Sequence, residues 1–118
     1  MKRIFHSLLL ALLLVANVQA ADYLYRGVRP AVVIDVRTPE EFAAGHVEGA
    51  INLPYDQISA ASVGKLDKQA DVLLYCRSGR RSAIARDTLL KLGFARVHDA
   101  GGLQSVQAEL KRCTAATC

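Results

Sequence analysis

At 118 residues the chain has room for one domain. It carries 15 Lys and Arg against 11 Asp and Glu, a formal net charge of +4. Lys2 and Arg3 belong to an N-terminal leader, and without them 13 basic residues face 11 acidic ones, a net charge of +2. A surplus that small gives net charge no argument for a nucleic-acid partner, and neither an internal repeat nor a low-complexity linker interrupts the sequence.

The leader comes first in chain order. "MKRIF" supplies a basic start, "LLLALLLVA" an apolar stretch short for a bilayer, and "NVQA" places Val18 and Ala20 at the −3 and −1 positions of a signal-peptidase site. The sequence therefore predicts a signal peptide over residues 1–20, removed to leave a periplasmic or secreted domain over 21–118 with no stable membrane anchor; an uncleaved anchor is the alternative. Next, "AVVIDV" (Ala31 to Val36) is a continuous apolar, β-branched run, expected as a strand covered on both faces. "TPEEFAAGH" follows as a short helix, with Thr38 as N-cap, Pro39 in the first turn, Glu40 and Glu41 on the positive end and Gly45 as the stop. "GAINLP" reads as a short strand ended by Pro54, and "YDQISAASVGKL" (Tyr55 to Leu66) as a short helix. "DVLLYC" (Asp71 to Cys76) is the second strongly buried strand. "SAIARDTLLKLG" is an amphipathic helix with Ala85, Leu89 and Leu92 on one face and Gly93 closing it. "FARVHDA" gives another short strand, and "GGLQSVQAELKR" a final helix expected to end near Cys113. Strands alternating with helices, the strongest strands apolar on both faces, predict a three-layer α/β domain with a mainly parallel central sheet. Ligands of such sheets bind beyond the carboxyl ends of the strands, which is where Cys76 stands.

Export changes how the three cysteines read, because an oxidising compartment favours disulfides and an odd count leaves one thiol over. Cys113 and Cys118 lie together in the tail "KRCTAATC", so the simplest partition pairs them and leaves Cys76 free. A functional alternative makes one tail cysteine a resolving thiol for Cys76. The free cysteine ends a strand and is followed by "RSGRR", which turns the chain into a helix. The first N–H groups of a helix lack internal partners and carry the positive end of its dipole, so this turn is a concave anion site. Gly79 lets the backbone curve there. A thiol so placed loses its proton more readily than an ordinary cysteine, and the thiolate is the nucleophile. Arg77, Arg80 and Arg81 add positive charge suited to an anionic substrate. The bland alternative is an inert buried cysteine with solvated arginines beside it.

"CRSGRRS" resembles the active-site loop of rhodanese domains; "VIDVRTPEEFAAGHVEGAINLP" (Val33 to Pro54) and "VHDAGGL" (Val97 to Leu103) resemble that family's N- and C-terminal signatures, in the family's order. With its leader and one short domain, the chain is most similar to the small periplasmic rhodaneses of bacterial phage-shock systems. It lacks the tryptophan that many members place after the double glycine, and the tail cysteines look like an addition. The resemblance implies a rhodanese-like fold and a sulfurtransferase. Cys76 would take the sulfane sulfur of thiosulfate as a persulfide and pass it to cyanide or a thiol, with the loop N–H groups, those of Ser78 and Gly79 among them, stabilising the sulfur anion. Arg77 and Arg80 would hold the thiosulfate dianion, and Arg81 would hold it or brace the loop.

Asp35, Arg37 and Glu41 are expected as a structural ion-pair group near the end of the first buried strand. His46 is expected to brace a loop through a hydrogen bond, and Gly101 and Gly102 to allow a tight turn near the site. One histidine makes no metal site, and no dinucleotide fingerprint or P-loop is present, so neither metal nor nucleotide cofactor is expected. Two rivals remain. A cysteine phosphatase or arsenate reductase needs a cysteine, five residues, then an arginine, whereas Cys76 is separated from Arg81 by four and the sixth position is Ser82. A non-catalytic rhodanese-like binding module often lacks the cysteine altogether.

Overall fold

The computed structural model describes residues 18–114 and residue 118. In chain order its elements are β1 (Tyr23–Tyr25), β2 (Val32–Asp35), α1 (Pro39–Ala44), β3 (Ile51–Asn52), β4 (Asp71–Cys76), α2 (Arg80–Lys91), β5 (Arg96–Gly102), α3 (Leu103–Glu109) and β6 (Leu110–Arg112), with 3₁₀ turns at Ala20–Asp22 and Tyr55–Gln57. The central sheet has four strands in the order β3–β2–β4–β5, every neighbouring pair parallel.

β4 is the axis of the fold, and the alternation of its side chains divides the core. Val72, Leu74 and Cys76 point to one face, where they join Ile34, Val36, Ala85, Leu89 and Phe94 under α2. Leu73 and Tyr75 point to the other, with Val33, Val47, Val106, Tyr23 and Tyr25 beneath α3 and β1. Both faces of the sheet are thus buried, as the unbroken apolar runs of β2 and β4 require. On α2 the buried side chains are Ser82, Ala85 and Leu89, with Leu92 packed beside them. α1 starts as its sequence dictates: Thr38 Oγ1 accepts from the Glu41 N–H at 3.2 Å, the Glu41 carboxylate accepts from the Thr38 N–H at 3.1 Å, and Gly45 caps the other end.

Two expectations need correction. Tyr55 to Leu66 is not a helix. Only the 3₁₀ turn forms, followed by a run of turns in which Ser59 and Ser62 bond each other's backbone N–H groups at 2.8 and 3.1 Å; such side chains compete with the helical ladder. The final helix stops at Glu109 rather than near Cys113. The chain then turns extended because Leu110 packs into the core and Leu110–Arg112 pairs antiparallel with β1, Tyr23 opposite Arg112 and Tyr25 opposite Leu110. That two-stranded ribbon stands apart from the central sheet and has no counterpart among the sequence-based elements.

Residues 1–17, most of the expected signal peptide, lie outside the described residues. Of the three beyond them, Val18 packs against the α3-side core and Ala20 is buried in it. At the other end Cys113 and Cys118 form a disulfide with Cα atoms 5.2 Å apart, and Cys76 is a free, buried thiol.

Candidate active site

The loop from Cys76 to Arg80 closes over the thiol. Gly79 takes φ +101°, the left-handed region that glycine enters without strain, and this aims its N–H at Cys76 Sγ, 2.8 Å away. The thiol donates to Ser82 Oγ at 3.4 Å, while the Ser82 hydroxyl donates to the Gly79 carbonyl at 3.1 Å. From the other side the double glycine supports the loop. Cys76 lies opposite Gly102 after a register shift between β4 and β5. A Cβ on Gly102 would sit 2.5 Å from the Arg77 carbonyl oxygen, so only glycine permits this approach. Gly101 makes the turn at φ +75°, its N–H donating to Asp99 Oδ1 at 2.9 Å.

Two opposed effects act on the thiol. Burial, the largest single influence, pushes its pKa up. The Ser82 hydroxyl and the backbone N–H groups of Ser82, Gly79 and Ser78 favour the thiolate, and together they prevail, so the pKa falls below that of an ordinary cysteine. Once Sγ is an anion it no longer donates, and the Ser82 hydroxyl is in place to donate to it.

The arginines sort into two kinds. Arg81 is committed: its Nη1 and Nη2 donate to Glu41 Oε1 and Oε2 at 2.7 and 2.9 Å, tying the first turn of α2 to α1. Glu41 also accepts from the Thr38 hydroxyl at 3.1 Å. The Arg81 guanidinium, ahead of the Thr38 bonds, draws the Glu41 carboxyl down to about 2. Arg37 is committed as well. Its Nε and Nη2 donate to the buried Asp35 carboxylate at 2.6 to 3.1 Å, Nη2 also donates to the Gly45 carbonyl at 2.6 Å, and the guanidinium lies over the Tyr75 ring. The group expected from Asp35, Arg37 and Glu41 is therefore two separate pairs, Asp35 with Arg37 and Glu41 with Arg81. Arg77 and Arg80 are exposed and make neither ion pair nor hydrogen bond with the described residues. His46 is exposed, stacks on Phe42 and donates from Nδ1 to the Phe42 carbonyl at 2.8 Å, which braces the end of α1.

Beside the Arg77–Ser78 side of the loop opens a groove of about 490 Å³, walled by α1 and by the first turn of α3, with Arg37, Glu41, Arg77, Ser78, Leu103 and Gln104 among its lining. Sequence reasoning missed Ser82, Asn52, Tyr75 and this α3 wall. Ser82 carried a usable signal, a hydroxyl on the same helical face as Ala85 and Leu89. Asn52 bridges the backbone of Asp35 and Arg37 through Nδ2 at 3.1 and 3.0 Å, and the Tyr75 hydroxyl accepts from the Val47 N–H at 2.9 Å; neither pairing has a local sequence mark. Among the described residues no group of three or more His, Cys, Asp or Glu side chains is arranged to hold a metal ion.

A parallel sheet whose central strand ends in a thiol, cradled by N–H groups at a helix start, defines an α/β domain built around one free cysteine. The rhodanese-like domain profile matches residues 19–109, and the chain belongs to the rhodanese-like family. It is 39% identical over 74 residues to the thiosulfate sulfurtransferase PspE of Escherichia coli K12, covering 62% of this chain and 71% of that one. To the chloroplastic thiosulfate sulfurtransferase 16 of Arabidopsis thaliana it is 38% identical over 101 residues, 76% of this chain and 82% of that one. Among solved structures, a rhodanese with anions from E. coli superposes with a TM-score of 0.60 at 35% identity, covering 69% of this chain and 96% of the other.

Proposed function

We propose that the protein is a periplasmic or secreted thiosulfate sulfurtransferase whose carrier is a Cys76 persulfide. The Cys76 thiolate attacks the sulfane sulfur of thiosulfate. As the new S–S bond forms, the old one breaks and sulfite leaves with its electron pair. The terminal sulfur of the persulfide then carries the negative charge, and the N–H groups around the loop meet it in place of water. Cyanide or a thiolate next attacks that outer sulfur, and the bonding pair returns to Cys76 Sγ. Arg77 and Arg80, exposed and without a partner among the described residues, serve the sulfonate end of the donor. Arg81, Glu41, Asp35, Arg37 and His46 hold the frame. The leader and the Cys113–Cys118 disulfide support the exported location.

The observation that carries this reading is the Gly79 N–H 2.8 Å from Sγ, in a loop drawn tightly round one sulfur atom. A phosphatase or arsenate reductase would need its arginine free to grip a tetrahedral oxyanion, and both terminal nitrogens of Arg81 are spent on Glu41. Treatment with thiosulfate followed by intact mass measurement tests the proposal. The expected result is a gain of one sulfur atom that cyanide removes. An unchanged mass would favour a binding module, and turnover of aryl phosphates matching sulfur transfer would favour the phosphatase.

A further inference from the structure

We infer that Glu41 is a specificity-determining residue of the Cys76 site: by holding Arg81, it withholds a third guanidinium from oxyanions that resemble the donor but carry no sulfur to transfer. This deepens the sulfurtransferase reading and rests on it. The difficulty that Glu41 answers is that the loop attracts anions of every kind. The Gly79 N–H stands 2.8 Å from Sγ at the start of α2, and Arg77 and Arg80 are exposed and without a partner among the described residues. Sulfate, phosphate and sulfite present the same face of oxygens as the sulfonate end of thiosulfate.

Arg81 is placed to grip them all. It occupies the first turn of α2 beside Ser82, whose Oγ lies 3.4 Å from Sγ, and its charge and that of Cys76 act on each other. A guanidinium offers its donors as a fork that fits such oxygens two at a time. The Glu41 carboxylate takes that fork instead, Oε1 from Nη1 at 2.7 Å and Oε2 from Nη2 at 2.9 Å. Glu41 is itself held by the Thr38 N–H and hydroxyl, each at 3.1 Å, and its carboxyl, drawn down to about 2, stays ionised. Both side chains are one-quarter exposed, so an incoming anion reaches the pair and finds the arginine already matched. The consequence is kinetic. A contact that gripped the oxygens of thiosulfate and of departing sulfite alike would lower KM without speeding the transfer, and would delay the release of sulfite. Glu41 is thus a positioning residue acting through Arg81, whereas Arg77 and Arg80 draw the donor in.

The test reads anion binding at Cys76, the free thiol among the described residues, as the sulfate concentration that halves its rate of alkylation by iodoacetamide. Glu41→Gln keeps the length of the side chain and its capping role towards Thr38 while removing the charge that neutralises Arg81. It should lower that concentration about tenfold, the scale of one charge-assisted contact, and sulfite should inhibit thiosulfate turnover more strongly by a similar factor. A purely structural role for Glu41 would loosen the loop and weaken sulfate binding instead, which would overturn the inference, as would an unchanged value. Combining Glu41→Gln with Arg81→Gln should restore the sulfate dependence of the unaltered chain, because neither member of the pair then carries charge. Weaker sulfate binding in the double variant than in the unaltered chain would show that Arg81 already contacts anions, and would overturn the inference as well. Alkylation reports anion binding whether or not sulfur is transferred. Failure to form thiocyanate from thiosulfate and cyanide is therefore a separate result: it would remove the carrier role of Cys76 and, with it, the sulfur selectivity assigned to Glu41.

Discussion

Two regions of this molecule are built from the same parts, an arginine, a glycine with positive φ and a cysteine, and only one of them keeps its thiol free. In the loop after β4, Gly79 turns its N–H onto a buried, free thiol, and Arg77 and Arg80 are exposed and without a partner among the described residues. In the ribbon, Arg26 and Gly27 form a two-residue turn at φ +47° and +79°, closed by reciprocal bonds of 2.8 Å between Tyr25 and Val28. There Arg26 is spent on Glu109 at 2.6 and 2.8 Å, and Cys113 on Cys118. The difference is what surrounds the parts. A sulfur screened from water by its own loop feels each N–H strongly, whereas an exposed ion pair in water is worth little. An arginine serves a ligand only if the protein has not already used it.

The comparison breaks most visibly at the cysteines. Cys76→Ser should abolish sulfur transfer from thiosulfate to cyanide, and the double change Cys113→Ser with Cys118→Ser should keep most of it; substantial turnover in Cys76→Ser would undo the assignment of the two regions. Gly102→Ala comes next. Its methyl group would enter the space of the Arg77 carbonyl, 2.5 Å away, so the loop must move. Overpacking of this kind costs about 1–3 kcal/mol, and kcat/KM should fall by about a decade while Cys76 titrates at a higher pH in thiol-alkylation rates. Unchanged kinetics would show that the loop does not depend on the double glycine.

The Glu41–Arg81 pair should give a smaller, pH-dependent effect. The carboxyl is held at about 2, below its ordinary 4.5. Its folded pKa is the depressed one, so the stability it adds is fully present above about 4.5 and disappears as pH falls toward 2. With both side chains one-quarter exposed, that contribution is about 1–2 kcal/mol after screening. Glu41→Gln should remove it and flatten the melting temperature across that pH range, which thermal melts from pH 2 to 7 would check. The smallest effect belongs to the ribbon. Arg26→Ala removes an exposed pair, and both turnover and melting temperature should stay within the scatter of repeat measurements.

The parts of the fold legible in the sequence are those specified locally. The apolar run marks β4 to the residue, the Thr38 N-cap, Pro39 and the acidic first turn mark α1, and the apolar face and Gly93 mark α2. The loop was legible because cysteine, glycine and arginines lie within seven residues of one another. What escaped depends on partners distant in the chain. Tyr23–Tyr25 becomes a strand only because Leu110–Arg112 comes to lie beside it, and the same pairing ends α3 early. Arg81 read as a substrate contact or a brace until Glu41, forty residues earlier, decided between them. The tight approach of Gly102 to Arg77 is likewise invisible to any window of sequence.

The ribbon has one more consequence, for connectivity. By pairing Tyr23 with Arg112, and the Cys113 N–H with the Asp22 carbonyl, it brings the two borders of the domain side by side, and the backbone from 22 to 113 is almost a closed ring. A ring can be opened elsewhere. A short linker across that gap, with the chain cut instead in the exposed turn at residues 60–62, would make a circular permutant whose central strands keep their order and whose Cys76 loop stays unbroken.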